Sequence, residues 1–153
     1  MSAPSPSSLM LIALLMAVAG MGIPLMAAMN AGLGQQLGSP AAASAVLFGI
    51  GFVLSLVVAV TTGLPERAAF LGANPYRYGA AAPLVFYLIA ITWSAPRIGL
   101  GNAVFFVLLG QLIAAAAIDH LGLFGVIPSA LTWRRAAGIV VMAFGVYLAR
   151  KPR

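Results

Sequence analysis

An amide, a carboxylate and an imidazole stand out in an otherwise apolar stretch: Gln111, Asp119 and His120, within Ala95–Gly125, APRIGLGNAVFFVLLGQLIAAAAIDHLGLFG. Leu100 to Ile118 supplies about 20 apolar or small residues, roughly enough to cross a bilayer as one helix. Gln111, Ala114, Ala115, Ile118 and Asp119 recur at helical spacing and share one stripe. A stripe of amide, alanines and carboxylate suits another helix or a cavity better than lipid. His120 points to roughly the opposite side. Arg97 opens the stretch on a Pro96-Arg97-Ile98-Gly99 turn.

An amide in mid-span must find a partner or a wet cavity. Gln111 therefore either staples two helices, contributing on the order of 1 kcal/mol, or lines a cavity. Asp119 lies about 12 Å further along the helix. An ionisable group at membrane depth points to function. Near a span end, however, it can be hydrated, or pair with Arg97, Arg134 or Arg135 as a structural anchor. His120 is either a group titrating near neutral pH or an interface residue. The other acid, Glu66, follows Pro65 beside Arg67 and reads as a solvated loop charge. No Ser-His-Asp set, metal-ligand cluster or glycine-rich phosphate loop occurs, and His120 is the only histidine. The reading is no enzyme, no metal and no cofactor. Nor is there a ring-forming charge or filter motif of a channel.

Composition sets the environment. The chain has 153 residues, 63% hydrophobic and 7% charged, with mean hydropathy +1.09. A soluble domain of this size cannot keep such a surface in water. The chain reads as an all-α, polytopic membrane protein. The net charge of +6 serves loop anchoring and topology, not nucleic-acid binding. With no cysteine, disulfides and thiolate chemistry are excluded.

Five spans are expected, at about 9–29, 41–64, 79–95, 100–118 and 136–148, with a disordered polar tail over 1–8 and a basic tail over 150–153. Leu9–Met16 with Ala17-Val18-Ala19 has some look of a cleavable signal. The absence of Lys or Arg before it and the apolar run to Met29 favour a retained span. Met10, Met16, Met21, Met26 and Met29 fall in this first span, as plain packing or as an adaptable lining. Pro24 should kink it or cost a backbone bond. Asn30 and AGLGQQLGSP follow as an uncharged turn, in which Gly34 and Gly38 count as flexibility. Ser39-Pro40 supplies a cap and a first-turn proline for the second helix. Ser44 and Ser55 can bond back to their own helix and mark no site. Ala68–Tyr78 is a connector with a Tyr76-Arg77-Tyr78 anchor. The third span carries Phe86, Tyr87, Thr92 and Trp93; Tyr87 is either a pocket residue or an edge-facing ring. Leu121–Leu131 reads as a loop. Trp133-Arg134-Arg135 anchors the last span, where Gly138 and Gly145 share a face.

With five spans, Arg67, Arg77, Arg134 and Arg135 lie on one side, and Arg97, Arg150, Lys151 and Arg153 on the other. The positive-inside difference vanishes. Either copies insert both ways and pair antiparallel, giving from two chains the inverted repeat that transporters use, or one orientation wins, through the charges nearest the first helix or through an oppositely oriented partner protein.

Several blocks carry a resemblance: Pro24-Leu25 with Asn30 before Gly38-Ser39-Pro40; Ala95-Pro96-Arg97-Ile98-Gly99; Gly110-Gln111-Leu112 with Asp119-His120-Leu121-Gly122; and Arg135 with Gly138 and Gly145. Together they resemble the YdcZ-like branch of the drug/metabolite transporter superfamily. The resemblance implies a five-helix bacterial inner-membrane protein and a drug/metabolite-transporter-like bundle. It also implies a dimer, of one dual-topology chain or of two oppositely oriented relatives. Where that family leads one to expect a glutamine two residues after the proline, this chain has Met26. The expectation is a secondary transporter exporting a small metabolite or amphipathic compound by alternating access. Gln111, Asn30 and Tyr87, with Met26 and Trp93, would line a midplane cavity of the dimer. Asp119, with His120 and Arg97, would gate or couple it. The competing reading is an accessory subunit that needs an oppositely oriented five-helix partner.

Overall fold

The computed structural model describes residues 5–149. Its described elements are all helical: α1 (Pro6–Gln36), α2 (Pro40–Thr62), a short α3 (Arg67–Gly72), a 3-10 turn (Pro75–Ala80), α4 (Ala81–Ile98), α5 (Leu100–Leu121), a 3-10 turn (Leu123–Gly125) and α6 (Trp133–Ala149). Four segments are long and apolar enough to cross a membrane: Ser7–Gln36, Pro40–Thr62, Pro75–Ile98 and Leu100–Leu121. The expected fifth span corresponds to α6, which has 17 residues and is about 26 Å long at the usual rise. Residues 1–4 of the expected N-terminal tail and the basic tail at 150–153 lie outside the described residues. Ser5 is already the cap of α1, its hydroxyl accepting from Ser8 N at 3.3 Å, so the first helix starts earlier than the composition suggests.

The first helix also ends later. It runs through Pro24 and Asn30 to Gln36, and the turn shrinks to Leu37–Ser39. Ser39 N bonds Gly34 O at 3.0 Å and Leu37 N bonds Leu33 O at 2.9 Å, closing the helix end. Gly34, which reads locally as part of a turn, is helical and packed against Thr92 and Ala43, tertiary contact overriding propensity. Ser39 caps α2 as expected, accepting from Ala42 N at 3.2 Å, with Pro40 in the first turn. The Pro96-Arg97 segment is not a turn. α4 continues to Ile98, and the break falls on Gly99 alone, at φ +85°, a conformation that suits a residue without Cβ.

The chain divides into two compact units, Met1–Arg97 and Ile98–Arg153. In the first, α1 packs along α2. Ala27, Asn30 and Ala31 of α1, Ala43 and Ser44 of α2, and Leu88, Ile91, Thr92 and Ala95 of α4 are buried. Small residues on α1 and α2 let helix backbones approach closely, which is how helices associate where lipid is as apolar as they are. Residues 9–23 of α1 face outward, which lipid tolerates on an all-apolar helix. In the second unit α5 packs on α6, with Ala103 and Ala116 buried. Gly138 and Gly145 are exposed rather than turned into that contact.

Gly34 marks the tightest approach. A Cβ there would stand 2.8 Å from Thr92 Cγ2 and 3.7 Å from Ala43 Cβ, whereas one at Gly49 would meet nothing within 4 Å. Gly34→Ala should cost about 1–3 kcal/mol through overpacking, while Gly49→Ala should stay within about 0.5 kcal/mol of wild type. Unfolding midpoints of the two purified variants check this; equal midpoints would refute the close contact.

Candidate functional site

Three polar side chains from three helices meet in the first unit. Asn30 of α1 is 3% exposed, and Ser44 of α2 and Thr92 of α4 are each 2% exposed. Asn30 Nδ2 donates to Thr92 Oγ1 at 2.6 Å and makes a longer contact of 3.5 Å to Ser44 Oγ. Ser44 Oγ–H donates to Pro40 O at 2.8 Å, one turn back on its own helix. That commitment leaves Ser44 Oγ only as an acceptor toward Asn30. The Asn30 amino group faces the node, toward both hydroxyls. Among the described residues nothing donates to Asn30 Oδ1.

Asn30 also borders a groove of about 520 Å³ between α1 and α2, with Met26, Met29, Val46, Gly51 and Leu54 among its other walls. Volumes of this order hold small molecules. Of the residues expected to line a pocket, Met26 and Asn30 come together here. Trp93 lies instead on a separate groove with Phe86, Ile89, Ser39 and Pro40. The Tyr87 hydroxyl is buried with no hydrogen-bond partner among the described residues. Gln111 belongs to the second unit and is exposed midway along α5, without a hydrogen-bond partner among the described residues. In that unit Asn102 and Tyr147 border a smaller cleft of about 210 Å³ between α5 and α6. Asn102 Nδ2 donates to Ile98 O at 2.8 Å.

The residues assigned to gating each hold local structure. Asp119 Oδ2 accepts from Arg135 Nη2 at 2.5 Å, both side chains about one-third exposed at 34%. Its backbone oxygen accepts from Ser129 N at 2.9 Å. His120 Nδ1 accepts from Leu131 N at 3.2 Å. Gly122 takes the left-handed cap position of α5, with its N–H on Ile118 O. The loop after α5 is thus folded back onto the helix end. Arg97 is separate: its guanidinium carbon sits 4.1 Å over the Trp93 ring, and Nη1 donates to Trp93 O. Of the partners open to Asp119, the structure selects Arg135.

Sequence reasoning missed Thr92 and Ser44 as members of the node. A hydroxyl in a helix can satisfy itself locally, and Ser44 does so. The only available signal was that Asn30, an amide at the end of an apolar span, had to find a partner.

A family model described as "Putative inner membrane exporter, YdcZ" matches residues 11–148. No curated protein and no solved structure matches the chain.

The bond from Leu131 N to His120 Nδ1 makes a local prediction. His120→Leu removes the acceptor, and amide exchange at Leu131 should quicken about 2- to 10-fold, the worth of one hydrogen bond. His120→Asn, whose Oδ1 can stand near the place of Nδ1, should restore much of the protection. Unchanged exchange in the leucine variant, read by hydrogen–deuterium exchange, would show that the bond does not hold the loop.

Proposed function

Starting from the fact that the chain belongs to the YdcZ family of inner-membrane exporters, we propose that it exports a small molecule, with its binding site at Asn30 on the α1–α2 groove. The family describes transporters rather than enzymes, and the chain is a multi-pass inner-membrane protein with several membrane-length apolar helices. The observation that carries the site is the Asn30 carbonyl, without a donor among the described residues: the polar end of a buried side chain that lines an open groove whose other described walls are apolar. Such a group in lipid is costly unless it meets a partner.

The α6 helix, at 17 residues, falls at the short end of what spans a bilayer. In this reading it is the fifth span, with Arg134 and Arg135 reaching back to the interface from its start. Gln111 is exposed on α5, and an uncovered mid-span amide calls for another helix. That amide and the even division of Lys and Arg support an antiparallel pair of chains working by alternating access. The second reading, a subunit that needs a different, inverted chain, rests on the same outward amide and keeps a fixed orientation.

Comparing the medium of cells with and without the chain tests export. At least one small molecule should rise outside wild-type cells and fall back with Asn30→Leu or Gln111→Leu, at unchanged membrane levels of the protein. No difference in any compound would sink the exporter reading.

Orientation is tested separately, by single cysteines at positions 2 and 153 in this cysteine-free chain, labelled in intact cells with an impermeant reagent. Partial labelling at both ends is the outcome expected of two orientations. Labelling at one end alone rejects dual topology and favours the inverted partner.

A further inference from the structure

We propose that the α1–α2 groove selects an uncharged, lipophilic molecule carrying a hydrogen-bond donor, and rejects permanent ions. The inference deepens the site placed at Asn30 and rests on that placement. Nothing lining the groove is charged, and Asn30 is its one polar side chain. A bound ion would lose its hydration with no opposite charge to replace it. An apolar molecule meets thioethers and aliphatic side chains, and Met26 and Met29 adapt to its outline.

The polarity of the single hydrogen bond follows from the node. Ser44's proton is spent on Pro40 O and Asn30 gives its amino group to the node, which leaves its oxygen as the end without a partner among the described residues. Thr92, at 2.6 Å, takes the other side of the same amino group. The groove therefore offers an acceptor, and the matching ligand brings an N–H or O–H. An acyl chain of the bilayer can fill the apolar walls, but it leaves Asn30 Oδ1 unpaired. A ligand with a donor satisfies both.

The groove also has a point at which it can be closed without touching the node. Gly51 lines it, and a Cβ at Gly51 would meet nothing within 4 Å. Gly51→Leu fills the space from α2 and leaves Asn30, Ser44 and Thr92 in place.

The test is equilibrium dialysis of the full chain in lipid nanodiscs, with empty discs subtracted, using indole, 1-methylindole and N-methylquinolinium. Indole, with its N–H, should bind at least about fivefold more tightly than 1-methylindole, the worth of one hydrogen bond, and N-methylquinolinium should not bind. Gly51→Leu should abolish the indole signal. Equal binding of indole and 1-methylindole would mean a plain lipid-facing surface and overturn the proposal, as would binding of the cation. The comparison of probes on the wild-type chain stands even if a variant folds poorly. Failure here with compound-specific export intact removes this site and leaves the exporter; selective binding without any export removes the exporter and leaves the site.

Discussion

The hydrogen bond from Asn30 to Thr92 is the interaction on which the first unit depends. At membrane depth no water is at hand, and an amide must be satisfied by protein. Its partner lies 62 residues away on α4, so satisfying it brings α1 and α4 together. That approach is possible because the surrounding positions are small: Ala27 and Ala31 on α1, Ala43 on α2, and Gly34 where Thr92 comes closest. Packing and polarity are thus one constraint. A larger side chain at Gly34 would separate the helices and strand the amide, and the cost of each would add to the other.

The same bond orders the chemistry of the groove. Ser44 bonds its own helix, the Asn30 amino group faces Ser44 and Thr92, and the carbonyl is left without a donor among the described residues. In the proposed site the structural element and the recognition element would be opposite ends of a single amide. The second unit uses polarity differently. Asp119, His120 and Arg135 sit at helix ends, where charges can be hydrated, and they bind the loop after α5 in place. α1 and α2 contain no charged residue, while α4 and α5 keep theirs at or near their C-terminal ends. An uncharged cargo, as proposed, would avoid the desolvation that an ion would incur beside such helices.

How much was legible in the sequence follows from the range of each interaction. Ser39-Pro40 was readable as a helix start because capping is settled within three residues, and the all-helical class followed from apolar runs of membrane length. Asn30 was readable as a site candidate because an isolated amide in such a run is costly. The extent of α1 was not readable. Gly34 and Gly38 look locally like a turn, and Gly34 is helical in close contact with α2 and α4. Thr92 was invisible as a partner because nothing in its neighbourhood distinguishes a bonded hydroxyl from an idle one. Asp119 was recognised with its possible cations, but the choice of Arg135 depends on the fold of the intervening loop.

The two amides, Asn30 and Gln111, make the sharpest contrast. Asn30 is buried and bonded inside its unit; Gln111 is exposed on α5, with no hydrogen-bond partner among the described residues. Both face the same requirement in a bilayer. The first unit meets the requirement for the amino group of Asn30 internally, and in the proposed site the remaining acceptor is the end that a ligand would meet. A helix that has not met it needs further protein, and the surface around Gln111, with Ala114 and Ala115 also exposed, is small enough for another helix to approach closely. An exposed amide flanked by alanines is poorly matched to lipid and well matched to a helix that supplies a hydrogen bond. The proposed pairing of chains thus has two independent supports, the unmet amide on α5 and the balance of Lys and Arg, carried by different residues.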